Sequence, residues 1–463
     1  MNAPTLRSLR VRSAVWVVLS LALLLAGCEQ KWYAAKDPDL DAEVDKAFFA
    51  GLDFKAIPNV PEPKSLRPCC VLGNDIGAEV ESIAVPGYEI SYTLDVDTLG
   101  THQFNKGFIT FEPRGGKRLL SNEVSGILYT CRGGFLDIAH VRDNADRTVF
   151  FASQIEQLAA TGGTIPLSGD GAGARHRIVL KPLDKQLVRA HGLREVVVSL
   201  AEWLDYQAGI WHEITTWYGW ASTPFSERPS AFSPEDLYSN FVGLKIAGTI
   251  FRRHAATSEL EYERAATAAI RDALLKLGPL PQAASRRAFE YVDGIWWDST
   301  KRVPDNMLVR HRNFNIGPKL QPWKLADAAP SDVVTEFHKE FDKYCKDDWK
   351  ALILNVPDRL GDTPFREMAT IEFQPEEVLV KGGFPFPRKG DPIVTQDDFP
   401  GIVAAAEKMA DKELGPGAGK PAARPDEKSR YRLPPDHPSR SGGTRRPGNS
   451  TRWHSRRSRS REA

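Results

Sequence analysis

The sequence predicts an α+β fold: a single domain in which a small mixed or antiparallel sheet packs with several helices, followed by a disordered C-terminal tail. Three observations carry this. Residues 193–218 repeat apolar side chains at helical spacing, with a wide apolar face. Short runs elsewhere alternate with period two, the pattern of half-buried strands. The composition, 41% hydrophobic and 26% charged, is that of a globular chain.

The chain opens with a basic stretch (Arg7, Arg10, Arg12) and an apolar run from Ala14 to Ala26, broken only by Ser20. This is the length of a secretory signal core and short for a membrane span. It ends in Leu25-Ala26-Gly27-Cys28, which resembles the bacterial lipobox. Residues 1–27 are therefore expected to be a lipoprotein signal peptide, and Cys28 the residue that carries the lipid. The expected location is the cell envelope, anchored to membrane. Glu29 does not match the aspartate of inner-membrane retention, which favours the outer membrane facing the periplasm. Residues 28–60 read as a spacer, with a short helix over 42–50.

The body is expected over 61–414. Strands are predicted at 89–96, 107–111, 126–130 and 177–180, with a helix from Phe135 to Ala160 closed by Gly162-Gly163. Ser233-Pro234-Glu235-Asp236 combines a capping serine, a proline at the first helical position and two acids, and starts a helix to Phe251. Further helices are expected at 259–277, 280–293 and 332–346, and short strands at 369–373 and 377–380. From Gly415 the chain is Pro, Gly, Ser and Arg with few large apolars, too little to bury, so 415–463 is expected to be disordered. The net charge of +1 is the sum of +8 in 421–463, +3 in the leader and −10 in the body. An acidic body argues against nucleic acid as a partner. The membrane is met through the N-terminal lipid, and the envelope substrate or protein partner is left open.

With Cys28 lipidated, Cys69, Cys70, Cys131 and Cys345 are disulfide candidates in an oxidising compartment. Three pairings are open. A bond between neighbours is strained, which favours Cys69 or Cys70 joining Cys131 or Cys345.

Two constellations can carry chemistry. In Cys131-Arg-Gly-Gly-Phe-Leu-Asp137-Ile-Ala-His140-Val-Arg-Asp143, helical spacing puts Asp137, His140 and Asp143 on one face. In Trp211-His212-Glu213-Ile-Thr-Thr216-Trp217-Tyr218-Gly-Trp220, position 216 lacks the second histidine of a zincin. Asp137 and His140 from one helix, with His212 and Glu213 from the other, form a candidate site for Zn²⁺ or another divalent metal. A metal-dependent hydrolase follows, with Glu213 a ligand or the general base. One ion requires the two pairs to lie within about 10 Å, since ligand bonds are about 2 Å long. Two other readings stand beside it. One is a non-catalytic envelope lipoprotein that binds its ligand through a Trp-rich surface. The other is a thiol hydrolase using Cys131 with His212, since a cysteine near a helix N-terminus has a lowered pKa.

Four stretches together resemble an uncharacterised family of bacterial lipoproteins, a domain of unknown function (DUF4056-like). They begin at Cys69-Cys70-Val, Tyr129-Thr-Cys-Arg-Gly-Gly, Trp211-His-Glu-Ile and Phe232-Ser-Pro-Glu-Asp, and the resemblance spans about 68–380. It implies no catalytic role for any residue.

Overall fold

The computed structural model describes residues 57–63, 67, 88–89, 93–105, 112–113, 123–168, 174–219, 228–301, 305–328, 330–346, 349–388 and 392–415. The leader, Cys28, the spacer to residue 56 with its expected helix, Cys69, Cys70, the strand expected at 107–111, Trp220 and the tail from 416 lie outside the described residues. Among those described, no helix is long and apolar enough to cross a membrane. The architecture is α+β, helices with small antiparallel sheets.

A short antiparallel pairing of Tyr88–Glu89 with Glu112–Pro113 precedes a hairpin of β1 (Ile127–Thr130) and β2 (Gly134–Asp137), with Tyr129 opposite Phe135. The sequence predicted helix from Phe135. Gly134 instead takes φ +65°, which a turn between paired strands favours in glycine, and strand pairing holds the chain extended as far as Asp137. Side chains alternate across the hairpin. Leu128 and Leu136 enter one core, while Ile127, Tyr129 and Phe135 enter a second one with Phe289, Trp296 and Phe337.

Asp137 then caps α1 (Ile138–Gln157), its side chain accepting from the Ala139 N–H at 2.7 Å. Helix α2 (Leu193–Tyr218) has the predicted bounds. Helix α3 (Asp236–Arg252) starts at Asp236, because the Ser233 hydroxyl donates to Glu235 instead of capping from 233. Helices α4 (Glu259–Leu277), α5 (Gln282–Tyr291) and α6 (Ser331–Cys345) follow near their predicted positions. A four-stranded antiparallel sheet pairs β3 (Gly163–Leu167), β4 (Ala174–Leu180), β5 (Ala369–Pro375) and β6 (Val394–Thr395) in the spatial order β6-β5-β4-β3. Residues 377–380, predicted as strand, lie in the short helix Glu377–Lys381. Only Leu379 is buried there, so no strand alternation exists to satisfy. Helix α7 (Phe399–Leu414) closes the body.

The centre is a three-helix packing. Helices α1 and α3 run parallel, since Asp137 meets Ser239, His140 meets Asn240 and Val141 meets Gly243 in step. A Cβ at Gly243 would lie 2.1 Å from the Val141 carbonyl, so only glycine allows this approach. Helix α2 runs antiparallel to α1, with His212 near His140 and Asp205 near Arg147 and Thr148. The sheet packs on α2 through Trp211, whose ring stacks on Phe373 at 4.1 Å. Ile57 and Val60, in the stretch read as spacer, are buried in the main core.

Candidate metal centre

Asp137 ends β2, His140 lies in the first turn of α1, and Asp236 is the first residue of α3. The parallel packing of α1 and α3 brings these helix starts together. One ligand atom from each of the three buried residues lies within 4.8 Å of the others, so the group can hold a metal ion. Asp236 is the member that sequence reasoning missed. It was read as an acid favourable to a helix N-terminus, a role needing the same residue type at the same place. A detectable signal was its company: Asp236, Ser239 and Asn240 are polar residues on a helix buried along nearly its whole length.

His212 and Glu213 approach from α2. The His140 and His212 rings are 6.0 Å apart between centroids. Glu213 accepts from the Phe232 N–H at 2.6 Å through Oε2, and Oε1 is buried with no hydrogen-bond partner. Phe232 itself has φ +55°, a conformation that costs a non-glycine residue energy and is held here by its neighbours. Its carbonyl accepts from the Asn313 N–H at 2.7 Å. Arg312 fastens the same loop by donating to the carbonyls of Arg228 at 2.9 Å and Ala231.

The hydrogen bonds fix which nitrogen of His140 is available. A guanidinium only donates. Arg147 Nη2 donates to Asn144 Oδ1 at 2.5 Å, so Asn144 presents its amide nitrogen to Asn240 Oδ1, at 2.6 Å. Asn240 Oδ1 is therefore an acceptor, and His140 Nδ1, 2.7 Å away, must donate to it. The proton sits on Nδ1, and Nε2 faces Asp236 Oδ1 at 3.5 Å. A metal-ligating histidine is oriented in this way, by a hydrogen bond from its far nitrogen.

Two buried acid clusters beside α1 behave oppositely. Asp146 meets the Arg67 guanidinium at 3.0 Å and the His102 ring at 2.8 Å. Burial alone would raise its carboxyl, but His102 and Arg67 bring it down to about 2. Asp143, predicted on the His140 face, pairs with Arg67 at 2.6 Å and belongs to this satisfied network. At the candidate centre no Lys or Arg among the described residues hydrogen-bonds Asp236. Burial, then Glu213, Glu235 and Asp137, push the Asp236 carboxyl well up. Burial pushes Glu235 up to about 8 and raises Glu213. Both oxygens of Asp236 and Oε1 of Glu235 lack hydrogen-bond partners. Buried carboxylates in this state are stable when neutral or when a cation joins them. Burial is also countered at His140, whose pKa Asp137 and Glu213 raise, whereas burial with His140 and Arg147 takes His212 down to about 3.

Three sequence expectations are corrected. Cys131 is bonded to Cys345, so neither is left to pair with Cys69 or Cys70. In that disulfide Cys131 has no thiolate, which removes the thiol-hydrolase chemistry. Trp211, Trp217 and Tyr218, expected to contribute to a Trp-rich surface, are buried in the main core.

A family model described as "Protein of unknown function (DUF4056)" matches residues 57–326. No curated protein and no solved structure matches the chain.

Proposed function

The chain belongs to the DUF4056 family, and since that family brings no activity with it we propose one from the site itself: a divalent-metal-dependent hydrolase, lipid-anchored through Cys28 in the cell envelope. The observation that carries the reading is Asp236, a carboxylate with both oxygens buried and unbonded beside His140 Nε2 and Asp137. Two carboxylates and an imidazole suit Zn²⁺ or Mn²⁺. Three protein ligands would leave a coordination position for water, whose pKa a bound ion would lower toward neutrality. Glu213, pinned by the Phe232 N–H through one oxygen, has a second oxygen without a hydrogen-bond partner and would act as the general base toward that water. A disulfide between Cys131 and Cys345 accords with an oxidising compartment.

The test is metal analysis of the full chain purified in detergent without chelator. About one equivalent of a divalent metal is expected in the wild type. Asp236→Asn and His140→Ala should each lose it while the circular dichroism spectrum stays native. The proposal fails if folded wild-type protein arrives metal-free and takes up neither Zn²⁺ nor Mn²⁺ on titration.

A further inference from the structure

The polar seam between α1 and α2 continues beyond the candidate ligands. Arg147 lies seven residues past His140 on the same face of α1, about 10 Å along the helix axis. Its guanidinium is tethered. Nε donates to Asp205 on α2, which also accepts from Thr148 at 2.6 Å, and Nη2 donates to Asn144. A guanidinium has five N–H donors. The three not used in these bonds, including both on Nη1, have no partner among the described residues, and 28% of the side chain is exposed. Helix α2 approaches this part of the seam closely at Gly209. A Cβ there would sit 3.1 Å from Asn240 Nδ2, 3.6 Å from Asn144 Oδ1 and 3.7 Å from Arg147 Nη2. One turn further, the ring of mostly buried His212 also has no hydrogen-bond partner among the described residues, and it interacts electrostatically with both His140 and Arg147.

We propose that Arg147 and His212 form an anion-binding subsite at the outer end of this seam, and that the substrate carries a carboxylate or phosphate group which docks there. The second clause rests on the hydrolase reading above. Asp205 serves to aim the guanidinium, since it engages only Nε and leaves the Nη1 edge facing outward. An arginine fixed on one edge and open on another presents paired donors in the geometry that carboxylate and phosphate oxygens accept.

The test is calorimetric titration of the full-length protein, zinc-loaded and zinc-free, with inorganic phosphate and separately with acetate. One anion is expected to bind, and the tighter of the two assigns the phosphate or the carboxylate class. Arg147→Gln should weaken it about tenfold, the order of one charge-assisted hydrogen bond, and Arg147→Lys less. Removing Arg147 strands buried Asp205, so the double variant Arg147→Gln/Asp205→Asn repeats the test with no buried charge left over. Asp205→Asn alone should retain binding. Absence of binding to wild type, or unchanged affinity in the double variant, overturns the subsite. Zinc and manganese uptake by the same samples separates the two ideas. Anion binding through Arg147 in a protein that takes up neither Zn²⁺ nor Mn²⁺ refutes the hydrolase and keeps the subsite. Zinc bound normally with binding indifferent to Arg147 refutes the subsite alone.

Discussion

Asn240 touches no candidate ligand oxygen, yet it determines how His140 presents itself. Its Oδ1 receives hydrogen bonds from Asn144 and His140, the last links of a chain whose direction Arg147 sets. Replacing Asn240 with Leu leaves the imidazole free to rotate or to change tautomer. Zinc affinity should fall by about 10–100-fold, the usual cost of removing a hydrogen-bond partner behind a ligand. Asn240→Asp keeps an acceptor and should lose less. Competition against a chromophoric chelator measures both, and equal affinity in the Leu variant and wild type would show that the chain does not orient His140. Asp137 and His140 were legible in the sequence because they stand three apart beside the apolar positions Ile138 and Val141. Asn240 was not, because its importance comes from a neighbour 100 residues away.

At the level of elements, legibility followed how locally each one is determined. Helix α2 declares its bounds because apolar side chains recur along all its turns. Strand β3 has one buried residue in five, so it shows no alternation and forms only because β4 pairs with it. The C-terminal half of α1 also holds the first described residues in place. Glu156 accepts from the Ile57 N–H at 2.5 Å, and Gln154 and Gln157 both donate to Asn59. Burial pushes the Glu156 carboxyl up to about 8, against the opposing effects of the Ile57 bond and Arg194. In the unfolded chain a glutamate ionises near 4.3. Between these values the unfolded chain has released the proton and the folded one keeps it, so this group's contribution to stability falls as pH rises through the window. Glu156→Gln does not titrate. Its melting temperature relative to wild type should therefore rise between pH 5 and pH 8.5, and a difference that is constant with pH would contradict the account.

On the scale of the molecule, the disulfide fastens the end of β1 to the end of α6 across 214 residues. Closing so long a loop restricts the unfolded chain, by about 5 kcal/mol in the chain-entropy model, and realised values are typically 2–4. Cys345→Ser should lower stability by about that smaller amount. Reductant should lower the melting temperature of the wild type and leave the variant unmoved; a wild type insensitive to reductant would show that the bond does not form. The pairing of parallel α1 and α3 has a consequence that reaches past any single side chain. Both helices begin at the candidate centre, and each helix start carries about half a positive elementary charge from its aligned peptide dipoles. Asp137 and Asp236 sit in that field, which opposes the effect of burial on Asp236 and would partly cancel the two carboxylates' donation to a cation. An ion bound there would keep more of its charge for hydroxide or another incoming anion. This polarity is written in the backbone, so substitution of a ligand can empty the centre but cannot reverse its field.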